Sequence, residues 1–233
     1  MSSTGNRPPD SIKAYTKVGL RMYDALVMGV LARHVWDCPA ENFVEHYRRH
    51  LTPNHAEIGV GTAYCLDRCG FDTPSPRLLL IDLQPNCLEF AAGRLDRYKP
   101  QICIHDALQS MRASDRRFDS IALGGVLHCL RGDMRRKTRV FDALGPLTSP
   151  GSKVFGYSLI ADPPTRRARS RLVLFALNRA GVIDTSHDRV GDLTRELSNR
   201  FVSCTVELVG NMAFFSAVVP QRPAGHGLQA GGL

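Results

Sequence analysis

Apolar residues along this chain fall into two alternating rhythms. Short apolar runs at 55–59, 77–82, 101–105, 118–124 and 153–160 read as strands. Stretches with helical spacing lie between them at 62–70, 85–97, 107–112 and 133–147, and Pro150-Gly151 marks a turn before the fifth strand. Such alternation predicts a parallel sheet covered by helices on both faces. Upstream, Tyr15, Val18, Leu20, Met22, Tyr23, Leu26, Val27, Val30 and Leu31 form a broad apolar stripe from Asp10 to about Val35. Gly19 and Gly29 weaken that helix and suggest two shorter ones. Pro39 opens another helix running to about His50, and Pro53 ends it. The last third changes rhythm. Residues 165–180 and 189–199 read as helices, and 202–209 and 212–219 as strands about Gly210-Asn211. A turn that short forces an antiparallel pair, so the sheet closes with a hairpin.

Domain limits follow. Residues 1–9 are a polar tail and 220–233 a Pro- and Gly-rich one, both expected to be disordered, with 10–50 an N-terminal helical segment and 51–219 the α/β domain between them. At 233 residues, 43% hydrophobic and 22% charged, the chain suits one soluble globular domain. It has no apolar run of membrane-spanning length and its N-terminus lacks an apolar signal core, so a cytoplasmic location is expected. The seven cysteines are scattered, with no Cys-x-x-Cys pair, which fits buried thiols in a reducing compartment. Cys65 and Cys69 stand one helical turn apart without a second ligand pair, so no metal is expected. The net charge is +8, with arginines clustered at 112–117, 131–139 and 166–171. Aromatic residues do not interleave with them. Solvated helix faces, or a rim for an anionic small substrate, therefore fit better than a nucleic-acid surface.

The chemistry concentrates in His55-Ala-Glu-Ile-Gly-Val-Gly-Thr-Ala63 and in Leu78-Leu-Leu-Ile-Asp-Leu83. The first is strand, glycine turn and helix start; the second is a strand ending in a carboxylate. A glycine turn lets a ligand lie against bare backbone at a helix N-terminus, and the next strand's acid can take two ribose hydroxyls. A dinucleotide site wants a third glycine where Tyr64 stands. Read as acid-x-Gly-x-Gly-x-small, the stretch matches at Glu57, Gly59, Gly61 and Ala63.

With Asp82, Asp106 and Asp119 placed at successive strands and a hairpin at the end, residues 35–219 resemble a class I S-adenosylmethionine-dependent methyltransferase of the small-molecule type. The resemblance implies a Rossmann-like, seven-stranded, mostly parallel sheet and S-adenosylmethionine as cofactor. It also implies site roles. Glu57 would hold the glycine turn or reach the methionine amino group, and Gly59 and Gly61 would give close backbone approach. Asp82 would take the ribose hydroxyls, and Leu83 would line the adenine. Asp106 would accept from the adenine amine, with Ala107 beside it. Leu123 and Gly124 would lie near the methionine and sulfonium. The opening helices resemble a lid.

Methyl transfer from a sulfonium needs alignment and dryness above all, and a base when a hydroxyl or acidic carbon receives the methyl. His128, just past the fourth strand, is the candidate base. Tyr15, Tyr23 and Trp36 are candidates to close over the pocket, and Arg166, Arg167 and Arg169 lie where such enzymes often meet the acceptor. Two other classes share these features: a fold of this kind using its cofactor for rearrangement or cyclisation, and a nucleic-acid-binding module or RNA methyltransferase. Gly124-Gly125-Val126 after the fourth strand, in place of an Asn-Pro-Pro-Tyr-like run, argues against aminopurine methylation.

Overall fold

The computed structural model describes residues 17–110, 117–162 and 167–221. The predicted tail at 1–9, most of that at 220–233, Tyr15 and Arg166 lie outside them. Helix α1 (Lys17–Tyr23) runs into a π-helix (Asp24–Leu31) and then α2 (Ala32–His34), with helical backbone angles at both junctions. The expected division into two helices is therefore replaced by a wide turn, and Gly29 does not break the rod. The predicted stripe was also too broad. Met22, Leu26 and Val30, spaced by four, face solvent, while Val27, Met28 and Leu31 face the core.

After α3 (Ala40–His50) come β1 (Asn54–Ile58), α4 (Tyr64–Cys69), β2 (Arg77–Asp82), α5 (Pro85–Arg94), β3 (Gln101–Ile104) and β4 (Phe118–Gly124). Then follow α6 (Met134–Lys137), α7 (Arg139–Ala143), β5 (Thr148–Leu159), α8 (Ala168–Arg179), α9 (Val190–Ser198), β6 (Ser203–Val209) and β7 (Met212–Val218). The seven strands form one sheet in the order β3-β2-β1-β4-β5-β7-β6, parallel except for β7, which is antiparallel to both neighbours. Two expectations fail locally. The described part of the predicted 107–112 helix is a turn, because Asp106 takes the Leu108 N–H at 2.9 Å and ends the backbone's advance. The predicted 133–147 helix is broken into α6, α7 and a 3₁₀ turn at Gly145–Leu147, where Thr138 turns its hydroxyl back onto the Met134 carbonyl.

Side chains alternate across the strands and divide the core into two layers. On one face Leu80, Ala122 and Phe155 pack with Phe43 and Tyr47 of α3, Leu66 of α4 and Leu88 of α5. On the other, Ile81, Ile121, Leu123 and Val154 pack with Phe141 of α7 and Leu193 and Leu197 of α9. Most of the arginines among the described residues are engaged in internal contacts. Arg167 and Arg169 pair with Asp37, Arg131 donates to the Gly181 carbonyl, and Arg200 bridges Asp142 and Glu196.

Candidate active site

A cavity of about 360 Å³ opens across the carboxyl ends of β1, β2 and β4, where ligands sit in open α/β sheets. Its floor is the glycine turn. Gly59 and Gly61 adopt left-handed backbone at φ +67° and +52°, and a Cβ on Gly59 would lie 2.6 Å from Val126 Cγ2. Ala63 is left-handed too, at φ +57°, and forms the N-cap of α4. Left-handed backbone there costs a residue with a Cβ about 1–2 kcal/mol.

Asp82 closes the turn from the β2 side. One carboxylate oxygen accepts the Gly61 N–H at 3.2 Å and the other the Gln84 N–H at 2.9 Å. Burial raises its pKa, and these N–H groups pull the other way. Asp82 lines the cavity, and a carboxylate has acceptor capacity beyond these bonds that two vicinal hydroxyls could use. Leu83, Asp106 and Ala107 line the same end.

Glu57 does not bond the glycine turn. Its carboxylate accepts the Tyr47 hydroxyl at 2.6 Å on one oxygen and lies 3.1 Å from His55 Nε2 on the other. The turn's own N–H groups are spent elsewhere, Gly59 N on the Ile81 carbonyl and Ala63 N on the Val60 carbonyl.

Gly124 reaches the cavity and Leu123 does not. Alternation along β4 sends Leu123 into the opposite layer, with Ile121, so its expected cofactor contact is corrected. Gly124 instead leaves room for the Tyr47 hydroxyl and the Tyr157 ring, which close this corner. Burial raises the pKa of both tyrosines.

His128 lines the cavity, yet its hydrogen bonds do not suit a general base. A backbone N–H can only donate, and Leu159 N lies 3.2 Å from Nδ1, so Nδ1 must accept. The proton of the neutral ring is then on Nε2, and burial, with Lys137 nearby, lowers the pKa to about 3. His128 is a neutral hydrogen-bond donor.

The lid expectation places Tyr23 and Trp36 on the cavity wall. Beside Tyr23, Asp24 accepts the Thr62 hydroxyl at 2.6 Å and pairs with Arg94 at 2.6 Å, while Arg94 also donates to the Thr62 carbonyl at 2.8 Å. The π-helix is thereby tied to the glycine turn. The far wall includes Met28, Leu31, Leu177, Val182 and Ile183, and no Lys or Arg lines the cavity among the described residues. An anionic substrate would find no fixed cation there. Val182 and Ile183 are held from behind by Lys137, whose ammonium donates to both Asp188 oxygens at 2.7 Å and to the Asp184 carbonyl. Asp184 N in turn donates to the His128 carbonyl at 2.8 Å.

Reading the sequence missed Tyr47, Tyr157 and His55. Alternation was the available signal: Tyr157 is two residues from Phe155 on β5, and His55 is two from Glu57 on the strand between β2 and β4. Among the described residues no cluster of three metal-ligating side chains occurs.

Comparison with known proteins agrees with this arrangement. A methyltransferase-domain family profile matches residues 56–154. The chain is 32% identical over 192 residues to demethylluteothin O-methyltransferase of Streptomyces thioluteus, covering 82% of this chain and 84% of that protein. It is 30% identical over 224 residues to methyltransferase verB of Penicillium polonicum, covering 90% and 98%. Among solved structures, the DhpI complex with S-adenosylhomocysteine shares the fold at a TM-score of 0.62 and 15% identity, over 91% of this chain and 96% of that one. The N-methyltransferase NodS of Bradyrhizobium japonicum WM9, also with S-adenosylhomocysteine, gives 0.58 and 16%, over 88% and 98%. With its strand order, its glycine turn and these relatives together, the chain belongs to the class I S-adenosylmethionine-dependent methyltransferases, alongside small-molecule O- and N-methyltransferases.

Proposed function

We propose that this chain moves a methyl group from S-adenosylmethionine to an oxygen, nitrogen or carbon of an apolar small molecule that carries no fixed negative charge. The observation that carries the reading is one cavity with two unlike ends. The end at the strand tips offers Asp82, Asp106, Glu57 and bare glycine backbone; the other is walled by Met28, Leu31, Leu177, Val182 and Ile183. The donor set fits the cofactor. Asp82 would hold the ribose, Asp106 the adenine amine, and Glu57 the methionine ammonium, while the side-chain position of Gly61 stays open to them.

Bound there, S-adenosylmethionine supplies an activated methyl group. The chain's part is alignment and exclusion of water. The apolar wall and the lid around Tyr23 and Trp36 keep the acceptor dry. His128 Nε2–H orients an acceptor oxygen. With Nδ1 committed to Leu159, no lining group at the apolar end is set to take a proton. A hydroxyl acceptor therefore has to bring its own acidity, as phenols and enols do.

Calorimetric titration with S-adenosylmethionine, S-adenosylhomocysteine and NAD tests the cofactor. Binding of the first two and not of NAD is expected. Asp82→Ala should weaken it by about 1.5–3 kcal/mol, the scale of charge-assisted hydrogen bonds. NAD binding without the sulfur ligands refutes the reading. Mass spectrometry of a phenol, enol and amine panel should then show a product one methyl heavier.

A further inference from the structure

The sheet face under the cavity buries an unusual amount of polar chemistry. His55 and Glu57 lie two apart on β1 and so on one face, among Phe155, Leu80 and Leu66. His55 has no solvent exposure and Glu57 4%. Behind them Ser120 of β4, the register partner of His55, places its hydroxyl 2.8 Å from His55 Nδ1. That hydroxyl lies 2.9 Å from the Thr52 hydroxyl and accepts the Thr52 N–H at 3.1 Å. The Thr52 hydroxyl reaches the Asn54 carbonyl at 3.1 Å. The chain thus runs Thr52, Ser120, His55, Glu57, Tyr47, and ends at the cavity.

When Ser120 donates to Nδ1, the neutral ring carries its proton on Nε2 and points that N–H at Glu57 Oε2, while the Tyr47 hydroxyl donates to Oε1. Two partners behind the buried carboxylate fix its direction. In front of it, no Lys or Arg lines the cavity among the described residues. An ammonium that meets this carboxylate from the cavity side therefore comes with the ligand and not from the cavity wall.

We propose that His55 is a positioning residue. Held by Ser120, it keeps Glu57 aimed so that Glu57 receives the α-ammonium of the cofactor's amino-acid arm. This rests on the cofactor reading above. His55 does not touch the ligand, and its effect is confined to the part of the ligand that carries the ammonium. An ordinary core residue would affect all parts alike.

The test compares two probes by calorimetry: S-adenosylhomocysteine, and 5′-methylthioadenosine, which has the same nucleoside and thioether without the amino-acid arm. In His55→Leu the affinity for S-adenosylhomocysteine should fall about tenfold or more, the loss of one charge-assisted contact. The affinity for 5′-methylthioadenosine should stay within about twofold and so reports an intact fold. His55→Gln, which keeps an N–H toward Glu57, should restore most of the loss, and Ser120→Ala should reproduce part of it. An equal fall for both probes, or a fall for neither, overturns the proposal. If the unmodified protein binds neither probe, the cofactor reading itself is wrong.

Discussion

Replacing Lys137 by methionine would remove one half of an ion pair that has no access to water. The ammonium uses its three N–H groups on Asp188 Oδ1, Asp188 Oδ2 and the Asp184 carbonyl. Both side chains are fully buried. Methionine fills nearly the same volume, so the cost comes mainly from the stranded Asp188 carboxylate. Breaking one partner of such a pair costs about 3–5 kcal/mol, a large share of the roughly 5–15 kcal/mol that holds a domain together. With about 2.1 cal/mol/K of unfolding entropy per residue over 233 residues, 4 kcal/mol lowers the melting temperature by roughly 8 °C. The assay is thermal unfolding of Lys137→Met beside the double variant Lys137→Met/Asp188→Leu. The double variant should recover most of the loss, because two apolar groups leave no charge unpaired. A single variant melting within about 2 °C of the parent, or a double variant no better than the single, refutes the reasoning.

Acidification should destabilise the protein through its buried histidines. Burial, with His50 adjacent, lowers His46 to about 4, and His128 lies at about 3, both below the ordinary 6.5. The unfolded chain then binds more protons below pH 6.5, so stability is complete above that value and falls with pH. By pH 5 each histidine should cost about 2 kcal/mol. Urea midpoints equal at pH 7.5 and pH 5 would contradict this, and His46→Gln should flatten the slope. Asp24→Ala should loosen the tie between the π-helix and the glycine turn. Stopped-flow release of S-adenosylhomocysteine should quicken several-fold with little change in melting temperature, and an unchanged release rate removes the latch.

Much of this architecture is legible in the residues because the strand tips carry their chemistry locally. The run from Leu78 to Asp82 is a strand whether or not a ligand is present, and its carboxylate falls at the sheet's carboxyl edge by construction. The hairpin about Gly210 is equally local. What depends on a third dimension is less visible. The apolar stripe of the first helix misleads because Met22, Leu26 and Val30, each about one turn apart, lie on its solvent side. Leu123 sits next to Gly124 in sequence yet faces the other layer, which alternation predicts only once the buried face of β4 is known. His128 looks like a base until the Leu159 N–H is found against Nδ1, a partner 31 residues away. The apolar wall draws on three separate segments that no short motif joins: the π-helix, α8 and the stretch at 182–183.

The polar chain from Thr52 to Tyr47 also bears on how the sheet assembles. Greasy strands are poor at recognising their own alignment, since one Leu or Ile can replace another. β1 and β4 carry a chemical tag instead. His55 finds Ser120 only when those two residues stand as neighbours. A slip by one residue would turn His55 and Glu57 into the layer of Ile81 and Ile121, two ionisable groups among hydrocarbon with nothing to bond. Such an arrangement is excluded by several kcal/mol before any ligand is met. The same polar chain that ends at the cavity thereby specifies which alignment of the two strands survives folding.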